Sequence, residues 1–134
     1  MSSHVLDCQE ALVALLRGAS ICAGRVYDDP PQGVTFPYVE IGDKQIIPDD
    51  ATASDGSSDD GVSDFTDLHI WSQHKGKKEA LDIGDSIRAL LHGQALTVSG
   101  CASALAWVRN ERYLRDPDGV TRHGVISVEI IHRT

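Results

Sequence analysis

Six histidines, three cysteines and an aspartate-rich run are the parts of this 134-residue chain whose residue types could do chemistry. His4, His69, His74, His92, His123 and His132 are scattered, without the His-Glu-x-x-His spacing of a zinc site. His69 and His74 flank the end of a predicted strand, too loosely placed for a ligand pair. Cys8, Cys22 and Cys101 contain no Cys-x-x-Cys, and each reads as a small buried hydrophobe. Gly61-Val62-Ser63-Asp64-Phe65 approaches a nucleophile elbow, but it lacks the second glycine and opens a strand instead of a strand-to-helix turn. There is no Walker A loop and no Gly-x-Gly-x-x-Gly.

The run PDDATASDGSSDDG, residues 48–61, holds five aspartates and invites a calcium reading. An EF-hand register from Asp55 would use Ser57 and Asp59. It puts Asp60 where glycine is required and Thr66 where the bidentate acid belongs. The register fails at both diagnostic positions, and a solvated acidic loop is the expectation. No catalytic, cofactor-binding or metal-ligating residue is assigned, no cofactor is expected, and the chain does not read as an enzyme.

The elements around these residues are plain. Val5, Cys8, Leu12, Leu15, Leu16 and Ala19 recur at helical spacing over 4–19, with Ser2 or Ser3 as a possible N-cap and Gly18 or Gly24 as a stop. Asp28–Pro37 is turn-rich, and Tyr38–Ile47 alternates as a strand that bulges at Gly42. Val62–Gln73 alternates cleanly: Thr66, Leu68, Ile70 and Ser72 take one face, and Phe65, Asp67, His69, Trp71 and Gln73 the other. A helix over about 76–91 carries Ala80, Ile83, Ile87, Leu90 and Leu91 as its apolar stripe, closed by His92-Gly93. A short piece at Leu96–Val98 precedes a long strand over Cys101–Arg115. Asp116-Pro117-Asp118-Gly119 then turns the chain back through Val120–Arg133.

Composition narrows the function classes. The apolar fraction of 41% and charged fraction of 24% fit one globular domain over 1–134. A net charge of −8 disfavours a general nucleic-acid binder. Arg109, Arg112, Arg115 and Arg122 gather on the final hairpin, but Glu111 and Asp116 dilute them. No apolar run approaches the ~20 residues of a membrane span, and the N-terminus lacks the basic region of a signal peptide, so a reduced cytosolic setting and no membrane partner are expected. Lys75, Lys77 and Lys78 open a helix at its unfavourable end for cations. They mark either a solvated cluster or contact with an acidic partner.

The order helix, strand, strand, helix, strand, strand predicts an α+β fold: an antiparallel sheet of about four main strands with both helices on one face. Such a sheet leaves a face and two edges open and leans toward assembly. Leu68-x-Ile70-Trp71-Ser72, Gly76 with Glu79-Ala80 and Ile83, Ile87-x-x-Leu90-Leu91, the VYDDPPQGVTFPYVEIG segment and the Asp116–Glu129 hairpin together resemble the tail-terminator (tail-completion) proteins of long-tailed bacteriophages and gene transfer agents. The length of the acidic loop and Gly84 inside the second helix are its odd points.

The resemblance implies a virion protein at the tail–neck junction, made in the host bacterial cytoplasm. It would form a ring, typically a hexamer, that caps the tail tube, stops tube polymerisation and joins the neck or stopper protein, while DNA passes the lumen without sequence-specific binding. Another head–tail joining protein is the near alternative; a small α+β ligand-binding domain or enzyme is the distant one. From exposure and charge, the candidate contacts are Asp55, Asp59 and Asp60 in the loop, Trp71, Lys75, Lys77 and Lys78 around the strand-to-helix turn, and Arg112 and Arg115 on the hairpin.

Overall fold

The computed structural model describes residues 4–49, 61–101 and 103–133. Two helices, α1 (Val5–Gly18) and α2 (Lys78–Leu91), accompany six strands: β1 (Val26–Tyr27), β2 (Tyr38–Asp49), β3 (Gly61–Ser72), β4 (Gln94–Ala95), β5 (Ser103–Arg115) and β6 (Arg122–Arg133). They form one sheet in the order β1-β2-β3-β6-β5-β4, antiparallel as expected except that β1 runs parallel to β2. The four long strands are those expected. The two-residue strands at the edges are additions, and the second lies at Gln94–Ala95 instead of Leu96–Val98. Two residues of ladder carry no periodicity, so no sequence pattern could announce them.

The core lies between the helices and one sheet face. It takes Cys8, Leu12 and Leu16 from α1, and Ala80, Ile87 and Leu91 from α2. Opposite them stand Val39, Ile41, Leu68, Ile70, Ala104, Ala106, Ile126, Val128 and Ile130. The larger of these each contribute about 1.5–3 kcal/mol through burial. In β3 the burial alternates, with Asp64, Thr66, Leu68, Ile70 and Ser72 inside. The face carrying Leu68 and Ile70 is therefore the core face. Ser72 also starts α2: its hydroxyl donates to Glu79 at 2.7 Å and accepts the His74 N–H at 3.1 Å.

Several boundaries move. His4, not Ser2 or Ser3, precedes α1, and it makes no side-chain cap bond. Pro48, Asp49 and Gly61 belong to strands, so the segment between β2 and β3 is shorter than 48–61. Val120 is 56% exposed, outside β6, instead of opening the core alternation. Its neighbourhood is set by Asp118, whose carboxylate accepts the Val120 and Thr121 N–H groups, each at 2.8 Å, while Gly119 takes φ +75°. The bulge in β2 does fall at Gly42, between Ile41 and Lys44.

Between α1 and β1 the backbone turns with a left-handed twist. Ser20, Cys22 and Ala23 sit at φ 59°, 50° and 56°. Each costs roughly 1–2 kcal/mol for a residue with a side chain. The turn is pinned by buried Ile21 and by the Arg17 guanidinium, which donates twice to the Val26 carbonyl, at 2.6 and 3.1 Å.

Candidate functional site

The face of the sheet opposite the helices has no layer over it among the described residues. Strand alternation places Glu40, Phe65, Asp67, His69, Trp71, His123, Ser127, Trp107, Arg112 and Leu114 there. Trp71 stands directly across from His123, and their rings stack at 3.9 Å and 11°. His123 Nε2 lies 2.6 Å from His69 Nδ1, so one imidazole donates and the other accepts. The indole N–H of Trp71 donates to Glu40 at 3.1 Å. A β-carbon at Gly42 would collide with the His69 ring, so the bulge glycine makes room for the pair. Burial, then the neighbouring His69, hold the His123 pKa below the ordinary histidine value. Two protonated rings at this separation would repel.

This cluster is the main feature that sequence reasoning missed. The two histidines are 54 positions apart, and only the β3–β6 register brings them together. Its two imidazoles can share a proton, and among the described residues no three His, Cys, Asp or Glu side chains are arranged to hold a metal ion.

A second polar cluster lies at the other end of the core. Lys44 donates to both oxygens of fully buried Asp64 at 3.0 Å and to Thr66 at 2.6 Å. Cys101 Sγ lies 3.9 Å from His132 Nδ1. Burial raises the thiol pKa and lowers that of the imidazole, which disfavours the thiolate. Cys8 is pushed up to about 12 by burial. An open groove of about 550 Å³ runs between the left-handed turn and α2, along Ser20, Cys22, Ile83, Ser86 and Leu90. Its thiol, Cys22, is pushed up to about 11 by burial and stays protonated at neutral pH.

The candidate contact residues fall as follows. Trp71 is half-buried, stacked on His123 and hydrogen-bonded to Glu40. Lys75, Lys77 and Lys78 are exposed between β3 and the start of α2. Arg112 and Arg115 are exposed on β5. Arg115, Arg122 and Ser72 share one row across the sheet, so the lysine turn and the hairpin arginines lie at one end of it. Asp55, Asp59 and Asp60 lie outside the described residues; the segment carrying them leaves β2 at the opposite end, where Asp49, Gly61, Arg133 and Ser103 align. The four arginines do not form one patch. Arg122 is buried with its guanidinium on the Gly119 and Val120 carbonyls, and Arg109 binds Glu129 at 2.7 Å.

The sheet face opposite the helices is open, aromatic and charged, and the exposed Lys75, Lys77, Lys78, Arg112 and Arg115 gather toward one end of the sheet. The sequence profile of the tail completion protein gp17 family matches residues 9–133, and the chain belongs to that family. Its role is structural, in tail assembly, and its place is the virion. It is 29% identical over 104 residues to tail completion protein gp17 of Bacillus phage SPP1, covering 78% of this chain and 73% of that one. Its fold matches a chain in the virion of a native gene transfer agent particle, with a TM-score of 0.77, 20% identity and 94% of each chain covered.

Proposed function

We propose that this protein closes into a ring, typically a hexamer, on the end of the tail tube, ends tube polymerisation and presents the finished tail to the neck or stopper protein. Family membership over 9–133 is the observation that carries this reading. The open sheet face and edges support it, because a head-to-tail contact closes into a ring when its rotation permits. The basic end, with Lys75, Lys77, Lys78, Arg112 and Arg115, and the end from which the aspartate segment leaves suit two different neighbours along the tail axis. DNA passes through the lumen without sequence-specific contact.

Deletion of the gene tests the reading. Tails of uncontrolled length, or tails that fail to join heads, are expected. Tails of normal length attached to heads would overturn it.

A further inference from the structure

We propose that neighbouring copies in the ring join edge to edge, the free part of β2 in one copy pairing antiparallel with the free part of β5 in the next. This rests on the ring reading above and specifies its contact. The sheet's own edges are only partly covered. On one side β1 pairs with β2 at Val39 and Glu40. On the other, Gly93 and Leu96 donate to the Ala106 and Ala104 carbonyls, and His92 Nδ1 accepts the Val108 N–H at 3.1 Å. Beyond these points no strand among the described residues covers β2 from Lys44 to Asp49 or β5 from Asn110 to Arg115.

The backbone phases of the two edges agree. In an antiparallel ladder, alternate residues turn both backbone groups to one neighbour and then the other. Val39 points outward to Arg25, and the bulge between Ile41 and Lys44 carries that phase to Lys44, Ile46 and Pro48. Pro48 lacks an N–H, as an edge position allows. Ala104, Ala106 and Val108 point outward on β5, and the bulge between Val108 and Asn110 transfers the phase to Glu111, Tyr113 and Arg115. On both strands these outward residues carry their side chains on the helix face. Joining the edges therefore continues the sheet with each face kept on its own side.

Direction agrees as well. The strands β2, β3, β6 and β5 alternate, and four is even. A copy rotated about a ring axis then sets its β2 antiparallel to the preceding β5. The free part of β2 has exposed Asp43 beside it and exposed Ile46 and Ile47 on it, whereas that of β5 has exposed Arg112, Leu114 and Arg115. The two-residue strands act as stops. They allow only a staggered pairing of about six residues, and such a stagger tilts the strands of a closed barrel. A ring joined this way leaves only the two-residue strands as edges, which lessens the aggregation hazard of the free subunit.

Cysteine pairs on the open face test this in assembled particles. Ile47→Cys combined with Asn110→Cys, Arg112→Cys or Leu114→Cys samples three neighbouring registers. Copper-phenanthroline oxidation is expected to give a ladder of linked copies beyond the dimer in one of them, absent from each single variant. In the unsubstituted protein, amide hydrogens of Ile46, Glu111, Tyr113 and Arg115 should exchange at least tenfold more slowly in the assembled ring than in the free subunit. Normal tails with neither ladder nor slowed exchange would overturn the edge contact and leave the ring reading standing. Linkage stopping at dimers would also overturn it. Attached tails of normal length after gene deletion would remove the ring reading and this inference together.

Discussion

The hydroxyl of Tyr113 occupies the space that a β-carbon on Gly84 would need. Tyr113 reaches from β5 to the underside of α2, and its hydroxyl donates to Glu111 at 2.7 Å. Glu111 in turn pairs with Arg88 on α2 at 2.6 Å. The mid-helix glycine, unfavourable by about 1 kcal/mol against alanine, is there because the helix lies directly on a phenol. Gly84→Ala gains helix propensity but overpacks the contact at a cost of about 1–3 kcal/mol. A lowered urea midpoint is expected, with much of the loss recovered in Gly84→Ala/Tyr113→Phe. A raised midpoint in the single variant would contradict the contact.

The left-handed turn predicts a stabilising change. Ala23 is exposed at φ 56°. Ala23→Gly relieves roughly 1–2 kcal/mol of backbone strain and costs about 0.5–1 kcal/mol in unfolded-chain entropy. The melting temperature is expected to rise by a few degrees. A fall would show that the alanine methyl makes a contact worth more than the strain.

Lys44 and Asp64 form the buried ion pair of the core's polar end, with Asp64 fully inaccessible. Lys44→Met leaves an uncompensated carboxylate and should destabilise by about 3–5 kcal/mol. Lys44→Met/Asp64→Leu removes both charges and should return most of that loss in a denaturation series. Equal loss in single and double variants would locate the effect in packing instead.

Acid sensitivity follows from His123 and His132, both held by burial below the ordinary histidine value. Each binds its proton less readily folded than unfolded, so the unfolded chain takes up more protons between the two pKa values. Stability is then complete above about pH 6.5 and falls as pH drops through the folded values. Urea midpoints at pH 7.5, 6.5 and 5.5 should decline. His123→Gln should flatten part of the decline, relieving the His69 repulsion as well.

Charge at the two ends of the sheet should govern assembly more than folding. Replacing Lys75, Lys77 and Lys78 with Glu should leave the melting temperature within a degree or two. It removes cations from a helix N-terminus, a change of a few tenths of a kcal/mol. The same variant should attach tails poorly. Asp55, Asp59 and Asp60 replaced by Asn should weaken assembly in a salt-dependent way. Unaltered particle yield across salt concentrations would return both segments to solvated surface.

The long elements were legible because their periodicity is physical. Leu68 and Ile70 alternate for a two-sided strand, Ala80, Ile87 and Leu91 recur for a helix face, and Asp116–Gly119 has the residues its turn requires. The family followed from those same elements. Tertiary structure decided the rest. The proximity of His69 and His123 depends on β3–β6 register, which no local pattern encodes. The reason for Gly84 lies on a strand 29 positions away. The stacking of Trp71 on His123 depends on the same register. Local sequence fixes which face of each element is apolar. Register and layer packing, which are contacts between distant residues, fix what each polar side chain meets and which strand edges remain open.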